Sequence, residues 1–119
     1  FAVVGLTGGD AAVFVDITDP QNPVELGRIN GTPSWWRDLK YWNRHVYIGT
    51  EAQDGVKVVS VDNPDNPLWV NTIYDFSTSH NIHIDTDGYL YIIGAGGYDP
   101  SACGRRYVLY RPRQTGVWL

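Results

Sequence analysis

The stretch Ser79-His80-Asn81-Ile82-His83-Ile84-Asp85-Thr86-Asp87-Gly88 gathers residue types that chemistry needs. Two imidazoles stand three positions apart, and two carboxylates follow them. A zinc ion, a calcium ion or an acid/base pair would each draw on such groups. Zinc is poorly served, because successive side chains of an extended strand point to opposite faces, so His80 and His83 diverge. His83 and Asp85 share a face, but two ligands leave a zinc site one or two short. Calcium takes roughly 6–8 oxygens, more than Asp85 and Asp87 offer. An Asp-Gly hairpin tip accounts for Asp87-Gly88 without an ion. These residues require no cofactor, and calcium at Asp85 and Asp87 is the one ion they leave open. Elsewhere there is no nucleophile elbow and no paired catalytic carboxylate. Gly94-Ala95-Gly96-Gly97 has the glycines of a phosphate loop but no helix pattern after it.

What positions these residues is a repeat. Val13–Ile29 and Val56–Ile73 align at an offset of 44, which pairs Pro20 with Pro64, Asn22 with Asn66, Pro23 with Pro67 and Ile29 with Ile73. The same offset joins Val3-Val4-Gly5, Tyr47-Ile48-Gly49 and Tyr91-Ile92-Ile93. Each unit reads as strands: Val, Ile, Tyr and Trp alternate between clusters of Pro, Gly, Asn and Asp, and no window keeps a helical apolar period. The middle unit predicts four strands, near Trp36–Trp42, Val46–Thr50, Val56–Val61 and Leu68–Ile73. Asn43-Arg44, Gln53-Asp54-Gly55 and Asp87-Gly88 read as hairpin turns. The four prolines, lacking a ladder N–H, mark strand ends.

Four strands at a period of about 40–45 residues is the pattern of a β-propeller blade. The expected fold is all-β, built of four-stranded antiparallel blades. Residues 1–29 form a partial blade, 30–73 a full blade and 74–119 a blade with a divergent end. Closed propellers use roughly 4–8 blades, so further blades are expected from the same or other chains, and Phe1, which begins mid-pattern, favours a piece of a longer protein. Val15, Ile17, Ile48, Val59, Val61, Ile82 and Ile92 are expected between blades.

On this register His80 aligns with Trp36, Asn81 with Arg37 and His83 with Leu39, so His83 is expected to pack between blades. Trp36, Arg37, Asp38, His80 and Asn81 then begin the innermost strands, where loops surround a propeller's channel. They are candidate ligand-binding residues at a concave site. The plainer alternative is that Arg37 pairs with Asp38 while His80 and Asn81 satisfy backbone groups at the rim.

The formal charge of −4 divides unevenly: residues 1–99 carry −8, and Arg105, Arg106, Arg111 and Arg113 put +4 on an acid-free end. An acidic body argues against nucleic acid as a partner, and the arginine-rich end reads as solvated. Apolar runs fall far short of the ~20 residues of a spanning helix, so the chain is not expected to span a membrane. No targeting segment is visible at Phe1. Cys103 is single, which excludes an internal disulfide. Asn30-Gly31-Thr32 fits both a glycan acceptor and a turn.

Several motifs occur together in order: Ser34-Trp35-Trp36-Arg37-Asp38-Leu39-Lys40, Thr50-Glu51-Ala52, Gly55-Val56-Lys57-Val58, His80-Asn81-Ile82 and Cys103-Gly104. With the turn Val15-Asp16-Ile17-Thr18-Asp19-Pro20, they resemble the choice-of-anchor B group of bacterial surface proteins, also called LVIVD-repeat proteins. The resemblance covers residues 11–104 and stops at Arg105. It implies an extracellular or cell-surface propeller and brings no established enzymatic activity. The expected function is non-catalytic: binding a protein or glycan, or building an extracellular assembly. The alternative is a hydrolase-type enzyme with a channel-mouth site around Arg37, Asp38 and His80.

Overall fold

The computed structural model describes residues 1–97 and 107–110. Every regular element in them is a strand, in the order β1 (Ala2–Gly5), β2 (Asp10–Asp16), β3 (Val24–Asn30), β4 (Arg37–Trp42), β5 (His45–Thr50), β6 (Val56–Ser60), β7 (Leu68–Ile73), β8 (Asn81–Ile84), β9 (Leu90–Ile93) and β10 (Tyr107–Tyr110). They make three antiparallel sheets, ordered β1-β2-β3, β4-β5-β6-β7 and β10-β9-β8. The all-β class is as expected, and the four strands of the central unit fall within a residue of their expected bounds. Among the described residues no helix is long and apolar enough to cross a membrane.

The turns form where the sequence places them. Asn43 and Arg44 both have positive φ, 46° and 60°, the conformation that a two-residue hairpin needs to match strand twist. In the two proline-rich turns the side chains of Asp19 and Asn63 accept the amides of Gln21 and Asp65 at 3.0 and 3.2 Å. The backbone closes behind them, with Asn22 N–H donating to Asp19 O and Asn66 N–H to Asn63 O at 3.1 and 3.0 Å. Gly88, at φ 81°, packs beneath the Trp42 indole, where a β-carbon would meet Cη2 at 2.6 Å.

Strand alternation sorts the apolar residues into two interfaces. Ala12, Phe14 and Ile29 of the first sheet close against Val46, Ile48, Val59 and Val61 of the central unit. Tyr47, Val56, Val58 and Ile73 leave the other face and meet Ile82, Leu90 and Ile92 of the third sheet. The central sheet is thus covered on both faces, which is why β5 and β6 are buried nearly end to end.

Two expectations need correction. Of the seven residues placed between blades, Val59, Val61, Ile48, Ile82 and Ile92 are buried, but Val15 is only half-buried and Ile17 is 44% exposed. Ile17 and Val4 stand 44 residues before Val61 and Ile48, which are 5% and 1% exposed. The difference is the neighbour: the outer face of the first sheet has no described sheet against it.

His83 was expected inside, and it is exposed. The pairings show why. Asp38 faces Gly49, and Asn81 faces Ile93, so β5 and β9 keep the 44-residue offset while β4 and β8 stand 43 apart. The connection into β8 is one residue shorter. A one-residue slip reverses the faces of a strand, so Ile82 takes Leu39's role in the core. His83 turns outward, its ring 6.0 Å from that of Tyr91. The arginine-rich end and Cys103 lie outside the described residues.

Candidate functional site

The candidate residues collect where β4, β6 and β8 begin and where β5 and β7 finish. This end also carries the Glu51–Gly55 turn. Asp54 and Gly55 fix that turn by donating their amides to Ser77 O at 3.0 and 2.9 Å. Below it Ser79 is fully buried. Its amide donates to Thr50 O at 2.7 Å and its Oγ accepts the Thr50 amide at 3.2 Å, a reciprocal tie between central and third sheets.

Arg37 and Asp38 do not pair. As neighbours on one strand they point to opposite faces. Arg37 reaches the first sheet's side, donating from Nε to Leu6 O at 3.1 Å and from Nη2 to Thr32 O at 2.5 Å. Burial pushes its guanidinium pKa down, against the charge of Asp54. Asp38 reaches the other way. Its Oδ2 accepts the Ile82 amide at 2.8 Å and the Asn81 side-chain amide at 3.4 Å, while Oδ1 takes Lys40 Nζ at 2.5 Å. Burial raises its pKa, but the hydrogen bonds from Lys40 and Ile82 outweigh that and leave it below the usual carboxylate value. Both groups are occupied in holding sheets together.

Trp36 and His80 do meet. Their rings stack with centroids 4.6 Å apart and planes 8° from parallel, and Trp36 Nε1 donates to the His80 carbonyl. His80 Nδ1 lies 2.5 Å from Glu51 Oε1. These three side chains remain solvent-accessible, and Trp35 beside them is 92% exposed. An imidazole oriented by a carboxylate is an acid/base arrangement in principle. The nearby Ser79 hydroxyl is fully buried and accepts the Thr50 amide.

His80 and Asn81 were offered an alternative role in satisfying backbone groups, but their side chains go to Glu51 and Asp38 instead. Glu51 and Lys40, both central to this geometry, stand in the motifs that carry the resemblance but not among the candidate site residues. No local pattern gives Glu51 a role at the site, because its partner lies 29 residues away.

Of the two carboxylates weighed for calcium, Asp85 is also engaged. Asp85 Oδ1 accepts the amides of Asp87 and Tyr89 at 3.0 and 2.9 Å, and Oδ2 accepts the Tyr91 hydroxyl at 3.0 Å. These bonds, led by that from Tyr89, hold its pKa low, and the carboxylate in turn raises that of Tyr91. Among the described residues no three His, Cys, Asp or Glu side chains gather as a metal site would require.

No known family model, curated protein or solved structure matches this chain. The resemblance drawn from its motifs therefore rests on those residues alone.

Proposed function

We propose that this chain is a segment of a non-catalytic, extracellular or cell-surface β-propeller that binds a protein or a glycan at the end bearing Trp35, Trp36, His80 and Glu51. The observation that carries this reading is a division of labour. Arg37, Asp38 and Asn81 are spent on bonds between sheets, while an aromatic and polar rim faces solvent beside them. Exposed tryptophans on a rigid frame give binding area at small entropic cost. The surface location follows from the motif resemblance. Further blades, from the same or other chains, would cover the apolar face of Val4, Val15 and Ile17.

The rival reading, a hydrolase, draws on the His80–Glu51 bond. Its other two residues, Arg37 and Asp38, point to different partners and do not converge on the imidazole. Parallel assays separate the two. Binding to arrayed glycans and surface proteins is expected to fall in Trp35→Ala and Trp36→Ala, with no turnover of ester or glycoside substrates by the parent. Turnover that disappears in His80→Ala would establish the enzyme instead.

A further inference from the structure

At one buried position the central unit carries a charge where the first sheet has a valine. Lys57 pairs with Thr72 where the first sheet pairs Val13 with Arg28, so Lys57 occupies a valine's position. It lies on the face that carries Val59 and is only 3% exposed. Burying an ammonium costs more than burying a valine there, and a buried ion pair is weak evidence of stabilisation. Its partner Asp54 accepts from Nζ at 2.9 Å, and the other Asp54 oxygen accepts the Thr32 amide at 2.9 Å. Burial raises the Asp54 pKa, but the bonds from Thr32 and Lys57 outweigh this and keep it ionised. Trp69 lies over the ammonium, its ring centroid 4.1 Å away, and stands where the first sheet has Glu25.

These three residues line an open cleft of about 470 Å³ between the first sheet and the central one, together with Asn30, Thr32 and Pro33. The volume suits a small polar ligand. We propose that this cleft binds a neutral saccharide through a vicinal diol. A carboxylate only accepts hydrogen bonds and an ammonium only donates them. Held side by side, they match two adjacent hydroxyls, one donating to Asp54 and one accepting from Lys57. Trp69 and Pro33 give the ring's C–H face an apolar platform, and the Asn30 amide serves a further hydroxyl. The opposite charges of Lys57 and Asp54 cancel, so the cleft selects a neutral sugar over a uronate or a phosphate. The site is separate from the Trp36–His80 rim and does not depend on what that rim binds.

The test titrates the 119-residue chain with methyl glycosides of mannose, glucose and galactose, following ligand-observed NMR and tryptophan fluorescence, with cyclohexanol and inorganic phosphate as controls. At least one glycoside is expected to bind in the millimolar range and neither control to bind. Trp69→Ala and Lys57→Met should each weaken binding tenfold or more, and Tyr41→Ala, which removes an exposed aromatic outside the cleft, should leave it unchanged. If Lys57→Met fails to fold, Trp69→Ala and Asn30→Ala, which alter exposed side chains, decide the matter. Absence of binding by all three glycosides overturns the proposal. So does affinity that survives Trp69→Ala, or that is lost in Tyr41→Ala instead.

Discussion

Replacing Asp38 asks whether it is a clamp or a catalyst. Its carboxylate satisfies the Ile82 amide at 2.8 Å across the sheet interface, and Ile82 is buried. Asp38→Ala leaves that N–H without its partner, a cost of about 1–3 kcal/mol. Lys40 also loses its pair, but its side chain is partly exposed, so this adds only about 0–1 kcal/mol. The expected loss is therefore about 1–4 kcal/mol. Asp38→Asn keeps a carbonyl oxygen for the Ile82 amide and should cost about 1 kcal/mol. Urea unfolding followed by tryptophan fluorescence reads both variants. The pH dependence has a definite sign: the folded pKa is lowered, so the stabilisation is present above the unfolded value near ~3.9 and is lost as pH falls through the lower folded value. The parent should thus lose more stability on acidification below about pH 4 than Asp38→Asn does. Stability of Asp38→Ala within about 0.5 kcal/mol of the parent would refute the clamp.

Gly88→Ala combines a left-handed backbone with a β-carbon driven into Trp42, and should cost about 2–4 kcal/mol by thermal or urea unfolding. Gly8→Ala, with nothing near its β-position, is the matched control and should change little. Trp36→Phe retains the stack on His80 but removes the donor to its carbonyl, so a loss of about 1 kcal/mol without change of fold is expected. Val4→Asp combined with Ile17→Asp places charge on the uncovered face of the first sheet. Sedimentation should show the parent self-associating with concentration and the double variant remaining monomeric.

Most of the fold was legible because each local signal agreed with the next. Alternating Val and Ile gave the strands, and Asn43-Arg44 and Asp87-Gly88 gave the hairpins. The doubled proline turns gave the period. What escaped was the register of β8. Its sequence, Asn-Ile-His-Ile, shares no identical residue with Arg-Asp-Leu-Lys of β4 at either offset, and only the apolar match of Ile82 with Leu39 at an offset of 43 marks the missing residue before it. That residue decides whether His83 or Ile82 enters the core. At the candidate site, Trp36 and His80 stand immediately before β4 and β8, but their relation is not one of equivalence. They touch because they belong to neighbouring sheets. The role of Glu51 was invisible because it exists only after the sheets stack. Lys57, by contrast, had a signal in the repeat, since it aligns with Val13.

The ties that hold the central sheet run in both directions from it. Arg37 and the Asp54–Thr32 bond join it to the first sheet, while Asp38, the Thr50–Ser79 exchange and the Ser77 carbonyl join it to the third. Amide hydrogens of β5 and β6 can then exchange only when an outer sheet has let go as well. Protection in such a stack grades from the ends inward, with each interface contributing its own opening energy. Exchange measured residue by residue should find the slowest amides in Val46, Tyr47, Ile48 and Val58. Loss of one clamp, as in Asp38→Ala, should speed exchange in β8 and β9 while leaving β2 untouched. The three described sheets would in this way behave as two hinges around a single slow-opening centre.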